Sequence, residues 1–260
     1  MSLNPRIAHW PDQRVWLIGA STGIGAATAS LLWSVGARVA VSARSVDKLN
    51  TLAASAQNPR QAMVLPLDVT AREAQREAYQ SIAQTWGGVD VVLLCAGIYA
   101  PLRSSDFDVD AINHHFAVNF TGVLHGIEAV LPDMLKAKRG HIAIVSSVAG
   151  YRGLPNALAY GPSKAALINL AETMYLDLHD QGIGISVINP GFVETPLTAQ
   201  NRFHMPALIS PEEAAREIVA GLERGEFETH FPKRFTRTLK ALGVLPDAAY
   251  FKLIKKGTGL

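Results

Sequence analysis

Two sets of residues in this chain have the types and the spacing to do chemistry. Tyr160 and Lys164 stand four positions apart in a segment of helical composition, and residues at that separation share one helix face. A phenol ordinarily titrates at about pH 10, and a cation beside it favours its ionised form. The pair is therefore a candidate proton donor and acceptor, although alone such a pair is more often surface decoration. The second set is Gly19, Gly23 and Gly25, spaced G-x-x-x-G-x-G after the apolar run Val15-Trp16-Leu17-Ile18. Glycine permits the sharp turn and the close backbone approach that a pyrophosphate at a helix N-terminus requires. An alanine-rich helical stretch, 26–35, follows the turn and completes the strand, turn and helix context of a dinucleotide site.

The elements that must position these residues show in the apolar runs. Strands are predicted over 38–42, 63–67, 89–94, 142–145, 183–188 and 227–231, and helices over 45–56, 71–85, 108–137 with a bend near Pro132, and 160–180. Another helix opens at Ser210-Pro211-Glu212-Glu213, a cap, a first-turn proline and a capping box, and runs to about Arg224. Strands that alternate with helices and are apolar almost throughout belong to a parallel sheet covered on both faces. We expect an α/β, doubly wound, single domain over 1–260 with a basic amphipathic tail at 232–260.

Composition narrows the class of function. The 260 residues carry a net charge of only +2, which does not suggest a nucleic-acid partner, but seven lysines and arginines against one aspartate from position 229 onward give that segment +6 and leave −4 for the rest. The single cysteine, Cys95, cannot form an internal disulfide and fits a reducing compartment. The stretch 1–14 lacks the apolar core of a signal peptide, and the apolar run 91–102 is shorter than the ~20 residues that span a bilayer. The expected location is cytoplasmic. The eight histidines form no ligand cluster, His114 and His115 pointing to different helix faces, so no metal is expected.

From position 14 to about 231 the chain resembles the short-chain dehydrogenase/reductase family, whose motifs occur here in order. Gly19-x-x-x-Gly23-Ile24-Gly25 resembles the cofactor turn, Asp68-Val69 the adenine contact, and Asn119 the family's helix asparagine. Ser147 lies thirteen positions before Tyr160 and, with Lys164, completes the catalytic set; Ser146 is one position too far. Cys95-Ala96-Gly97 departs from the family's Asn-Ala-Gly, and Ile18 replaces a threonine, which puts hydrogen bonding near the turn in doubt. The resemblance implies a Rossmann-type fold and hydride transfer at a carbonyl. Ser147 would bond the substrate oxygen, Tyr160 exchange the proton, Lys164 ionise the phenol and reach the nicotinamide ribose, and Asn119 hold a relay water. Ser21 and Thr22 of the turn, Ala96 and Gly97, and Pro190, Gly191, Val193 and Thr195 would hold the dinucleotide.

At the end of the second strand, Ser42-Ala43-Arg44-Ser45 contains no acid to bond a ribose 2′-hydroxyl, and Arg44 and Ser45 can take a 2′-phosphate. NADP is expected over NAD. The substrate, a ketone, aldehyde or alcohol, would lie against Ile98, Tyr99, Val148, Tyr151, Leu154, Phe192 and the segment 197–208, most of them apolar. A homodimer or homotetramer is expected. Phe235, Leu239 and Leu242, with Arg234, Arg237 and Lys240 between them, mark an amphipathic basic helix that would cover the pocket, pack on a second subunit, or lie on an anionic membrane. Two other functions use the same residues: a dinucleotide-sensing regulator without chemistry, and a membrane-peripheral reductase of lipid-like or steroid-like substrates.

Overall fold

The computed structural model describes residues 2–11, 13–200 and 205–258. Its frame is a parallel sheet of β1 (Arg14–Ile18), β2 (Arg38–Ser42), β3 (Ala62–Val64), β4 (Val91–Leu94), β5 (Gly140–Val145), β6 (Ile183–Pro190) and β7 (Glu228–Phe231), in the order β3-β2-β1-β4-β5-β6-β7. The helices are α1 (Gly23–Ser34), α2 (Val46–Ala54), α3 (Arg72–Trp86), α4 (Val109–Phe116), α5 (Gly122–Ala137), α6 (Tyr160–Leu178), α7 (Pro211–Arg224), α8 (Lys233–Gly243) and α9 (Asp247–Thr258).

The apolar runs become central strands because both faces are covered. Trp16, Ile18, Val92, Leu94, Ile142 and Ile144 pack with Tyr79 and Ile82 of α3, Ile127 of α5 and Leu167 of α6. The alternate residues Val15, Leu17, Val91, Leu93 and Val145 pack with Leu32 of α1, Leu49 of α2 and Ile218 of α7. Successive strand residues point to opposite faces, so only an almost wholly apolar strand serves two cores. Trp16 is fully buried, and its indole N–H is satisfied by Ser42 Oγ at 2.9 Å.

The chain leaves β3 at one edge and re-enters the sheet at β4, beside β1. The ends of β1 and β4 thus form the switch point at which an open α/β sheet leaves a crevice. Gly19 turns out of β1 with φ +99, and its N–H donates to Ser42 O at 2.7 Å. A Cβ on Gly19 would lie 2.4 Å from Ala96 N, and one on Gly25 2.1 Å from Gly19 O. The glycines are required by packing against backbone as well as by the turn.

Three expectations are corrected. The third strand ends at Val64, not Leu67: Leu65 still donates to Val41 O of β2 at 3.0 Å and Leu67 to Ala43 O just beyond it at 3.1 Å, but Pro66 between them has no N–H and the regular ladder stops. The long helix over 108–137 is interrupted by a π turn at Ala117–Thr121, while Pro132 lies inside α5. A π turn widens the helix locally and re-aims a side chain; here it carries Asn119. The basic tail is two helices, separated where Pro246 disfavours helix at Leu245. The capping box at Ser210 and Glu213 forms as expected.

The backbone contact at Gly25 cannot be relieved by a side-chain rotation. Gly25→Ala is expected to lower the melting temperature by about 5 °C or more, whereas Gly243→Ala, whose added methyl meets nothing within 4 Å, should leave it within about 1 °C. Thermal melts of both variants by circular dichroism check this, and equal melting points would contradict it.

Candidate active site

A cleft of about 400 Å³ opens at the C-terminal ends of the central strands. Its floor is the turn that the sequence picked out, Gly19, Ser21, Thr22, Gly23, Ile24 and Gly25. The first turn of α1 has neither a capping side-chain hydrogen bond nor an acidic residue, so its amide donors face the cleft as an anion cradle. Arg44 and Ser45 from the end of β2, Asp68 and Val69 after β3, and Ala96 and Gly97 after β4 line successive parts of it. Ser147, Tyr160 and Lys164, and Pro190, Gly191, Val193 and Thr195 beyond β6, line the other end. These residues fit a dinucleotide: a glycine cradle at a helix N-terminus, an acid beside one end and a proton-transfer pair at the other.

Local contacts position each group. Ser147 Oγ accepts a hydrogen bond from Ala149 N–H at 3.1 Å, and its hydroxyl favours the ionised form of the Tyr160 phenol against the effect of burial. The competing Ser146 is spent on structure, donating to Lys164 O at 2.7 Å from a buried position. Asp68 takes the Thr70 N–H and hydroxyl at 2.9 and 2.7 Å, which hold its carboxylate below the usual range. Asn119 is fully buried and clamps Ile98, accepting its N–H at 2.8 Å and donating to its carbonyl at 3.0 Å, with a second bond to Ser163 Oγ at 3.1 Å. Both of its amide protons are used, which leaves one lone pair on Oδ1 for a relay water. Asn119 Oδ1 and Lys164 Nζ stand on the same side of Gly97, where an added Cβ would lie 3.4 Å from each.

The electrostatics differ from expectation. Lys164 Nζ donates to Val145 O at 3.0 Å and lies 5.7 Å from the centre of the Tyr160 ring. Burial pushes the Tyr160 phenol up to about 12 against a smaller opposing hydrogen bond from Ser147, and pulls the Lys164 amine down to about 8. In the protein alone, desolvation therefore outweighs any activation of the phenol by the amine. Cys95, the departure from the family pattern, is pushed up to about 11 by burial. Rigidity beside the turn is kept by Cys95 N–H to Ile18 O at 2.8 Å and by the Asn119 clamp. Ile18 is core, 1% exposed.

The structure does not bring Tyr151 into the cleft. Its hydroxyl donates to Glu228 Oε1 at 2.6 Å, because the carboxylate at the start of β7 lies beneath the loop after β5. Glu228 also accepts from Asn189 Nδ2 at 2.9 Å and pairs with Lys240 of α8. These bonds hold its carboxyl below the usual range against the effect of burial. Of the apolar residues expected at the substrate end, Ile98 and Leu197 line the cleft, and Tyr99 meets Tyr160 edge-on at 5.1 Å. Val148 is buried, Leu154 lines a different cavity, and Phe192 packs on Phe235 of α8 at 5.4 Å. Within 197–208, positions 201–204 lie outside the described residues.

Sequence reasoning missed Lys48 and Glu228. Lys48 lines the cleft with Arg44 and Ser45; a lysine in the first turn of a helix, where the dipole favours an acid, was the available signal. Glu228 gave none, since its partners lie 12 to 77 positions away. In the tail, Phe235, Leu239 and Leu242 are half-buried, so the stripe considered for a membrane surface is turned inward. Among the described residues no helix is long and apolar enough to cross a membrane, and no group of three or more His, Cys, Asp or Glu side chains is placed to hold a metal.

Comparison with known proteins gives a consistent result. The family model for short chain dehydrogenase matches residues 13–205. The chain is 34% identical over 233 residues, 89% of its length and 92% of the relative's, to an uncharacterized oxidoreductase of Myxococcus xanthus. It is 30% identical over 211 residues, 81% of its length and 91% of the relative's, to another of Staphylococcus aureus. Among solved structures it resembles a double variant of a Serratia marcescens short-chain dehydrogenase/reductase, with a TM-score of 0.77 at 22% identity over 85% of this chain and 97% of that one. It also resembles ElxO with NADP bound, with a TM-score of 0.74 at 24% identity over 80% of this chain and 90% of that one.

The buried amine has a measurable cost. Holding Lys164 at about 8 when its usual value is 10.5 destabilises the fold by about 3 kcal/mol while the amine is charged. This cost is fully present below pH 8 and fades as the pH rises toward 10.5, where the unfolded chain also loses the proton. Lys164→Met is therefore expected to raise the melting temperature of the protein alone by about 5 °C at pH 7, with a smaller gain at pH 10. Melting curves at both values check this; no gain at pH 7, or an equal gain at both, would contradict it.

Proposed function

The chain belongs to the short-chain dehydrogenase family, and from that premise we propose that it is an NADP-dependent oxidoreductase interconverting a ketone or aldehyde with the corresponding alcohol, Tyr160 exchanging the proton. The observation that carries this reading is the convergence of Ser147, Tyr160 and Lys164 on one cleft with the glycine cradle. When bound, the dinucleotide supplies or accepts the hydride. A carbonyl gaining hydride develops negative charge on oxygen, which must be met by a donor. Ser147 and Tyr160 line the same end of the cleft, so a substrate oxygen that enters between them meets two hydroxyls. With its phenol at about 12, Tyr160 is protonated near neutral pH, the form that donates in the reducing direction. For oxidation the phenol must be ionised, and Lys164 is the cation in reach once it turns from Val145 O. Asn119 holds the adjoining backbone at Ile98 and offers its remaining lone pair for proton relay. Ile98, Leu197 and the Tyr99 ring support an apolar substrate.

The preference for NADP rests on Arg44, Ser45 and Lys48 together at the β2 end of the cleft, with Ala43 where an acid would repel a phosphate. The NADP of ElxO points the same way. A charge-assisted contact to phosphate is worth about 1.5–3 kcal/mol, so NADPH should bind about ten- to a hundredfold more tightly than NADH.

Tyr160→Phe removes the transferable proton and keeps the ring. Turnover on a carbonyl found by screening NADPH consumption is expected to fall by about 10² or more, with NADPH affinity changed by less than about threefold; near-normal turnover would remove Tyr160 from its role. Arg44→Ala should erase most of the preference for NADPH and leave NADH binding nearly unchanged, and combining it with Lys48→Ala should erase the remainder. Fluorescence titration of both reduced cofactors against parent and variants checks this, and equal or tighter NADH binding by the parent would show that there is no phosphate site.

A further inference from the structure

A second cavity, of about 520 Å³, lies outside the dinucleotide cleft and shares no lining residue with it. Its walls are the loop 102–105 after β4, the loop 153–158 before α6, and one side of α9. The two loops are joined by hydrogen bonds from Leu102 N–H to Asn156 O at 3.1 Å and from Leu158 N–H to Leu102 O at 3.2 Å. The helix is fixed separately: Tyr250 Oη donates to Gly153 O at 2.8 Å. Arg152, 4.0 Å above the Tyr250 ring, donates to the carbonyls of Gly243 and Leu245 and pairs with Asp247. The walls therefore keep their spacing through contacts of their own. Its two loops lie within the residues 13–205 that match the family model, and its third wall, α9, lies beyond them.

The lining has two kinds of chemistry. Leu102, Leu154, Leu158, Phe251 and Ile254 make it mostly apolar, and Phe251 is 56% exposed, its ring open to whatever enters. Arg103 and Lys255 add two positive charges, no acidic residue lines the cavity, and among the described residues neither cation makes an ion pair. The dimensions are those of small-molecule sites, in which apolar walls supply affinity and a few polar groups fix orientation. Two cations on a carbon-lined groove call for an anion that carries a carbon chain.

We propose that this cavity binds a free single-chain amphipathic anion, a long-chain carboxylate of the fatty-acid type, with its alkyl chain against the leucines and Phe251 and its carboxylate between Arg103 and Lys255. The test is calorimetric titration of the full chain, with and without saturating NADPH, using decanoate below its aggregation concentration, 1-decanol and acetate. Decanoate is expected to bind with one-to-one stoichiometry, at least about tenfold more tightly than either control, and without displacement by NADPH. The double variant Arg103→Ser/Lys255→Ser, at two exposed positions, should weaken decanoate about tenfold or more and leave 1-decanol unchanged, while Phe251→Ser should weaken both. Equal binding of decanoate and 1-decanol, parent-like binding by the double variant, or competition with NADPH would overturn the assignment. Sedimentation with phosphatidylglycerol vesicles in the absence of decanoate binding would also overturn it, since the cationic surface would then belong to a membrane contact. None of these readouts depends on turnover, so the proposal and the oxidoreductase reading can fail separately.

Discussion

The cleft depends on how closely the chain passes itself where β1 and β4 end. With φ +99 and Ala96 N only 2.4 Å from where its Cβ would be, Gly19 lets β1 leave the sheet while touching the strand extension that carries Gly97 and Ile98. Gly25 packs the start of α1 onto the Gly19 carbonyl in the same way. One crowded junction thereby aims the amides of α1 into the crevice and brings the β4 extension beneath α6. A side chain at either glycine would force backbone apart, and the glycine turn and the Tyr160/Lys164 pair would lose their common frame.

Around that junction the fold holds polar groups in positions that burial penalises. Lys164 is 4% exposed and Tyr160 is desolvated, so the amine sits well below and the phenol well above their ordinary values. A cleft that keeps both is less stable than one with apolar residues in their place. Its neighbours divide the work. Ser146 fastens α6 to the end of β5 through Lys164 O, which leaves Ser147 free to meet the phenol. Asn119 is carried on a π turn because a regular helix would aim that residue elsewhere.

Beyond position 205, where the family match ends, β7 and α8 are fastened to the loop after β5 and to the end of β6. Glu228 gathers Tyr151, Asn189 and Lys240, tying the loop after Ser147, the end of β6 and α8 to one half-buried carboxylate. Phe235 packs against Phe192 and covers Gly191, while Arg152 holds the junction of α8 and α9 by its two carbonyls. These contacts turn the apolar side of α8 inward, where the residue pattern alone allowed a membrane, a second subunit or the pocket.

How much was legible beforehand follows the range of the interactions. The alternation of strands and helices, the both-face burial of the strands, the glycine turn, the capping box at Ser210 and the Tyr160/Lys164 face depend on periods of two to four residues, and the sequence by itself determined them. It also placed Ser147, Asp68 and Arg44 at element ends, where a parallel sheet gathers side chains into one crevice. Only the tertiary structure decided that Tyr151 belongs to Glu228, that Lys48 joins Arg44, that Asn119 rides a π turn, and that the tail breaks at Pro246 and folds back. It also decided the sign of the electrostatic effect at Tyr160. Spacing can show that a cation is near a phenol, but how much water each has lost depends on residues far away in the chain, and in this cleft that loss outweighs the attraction between them.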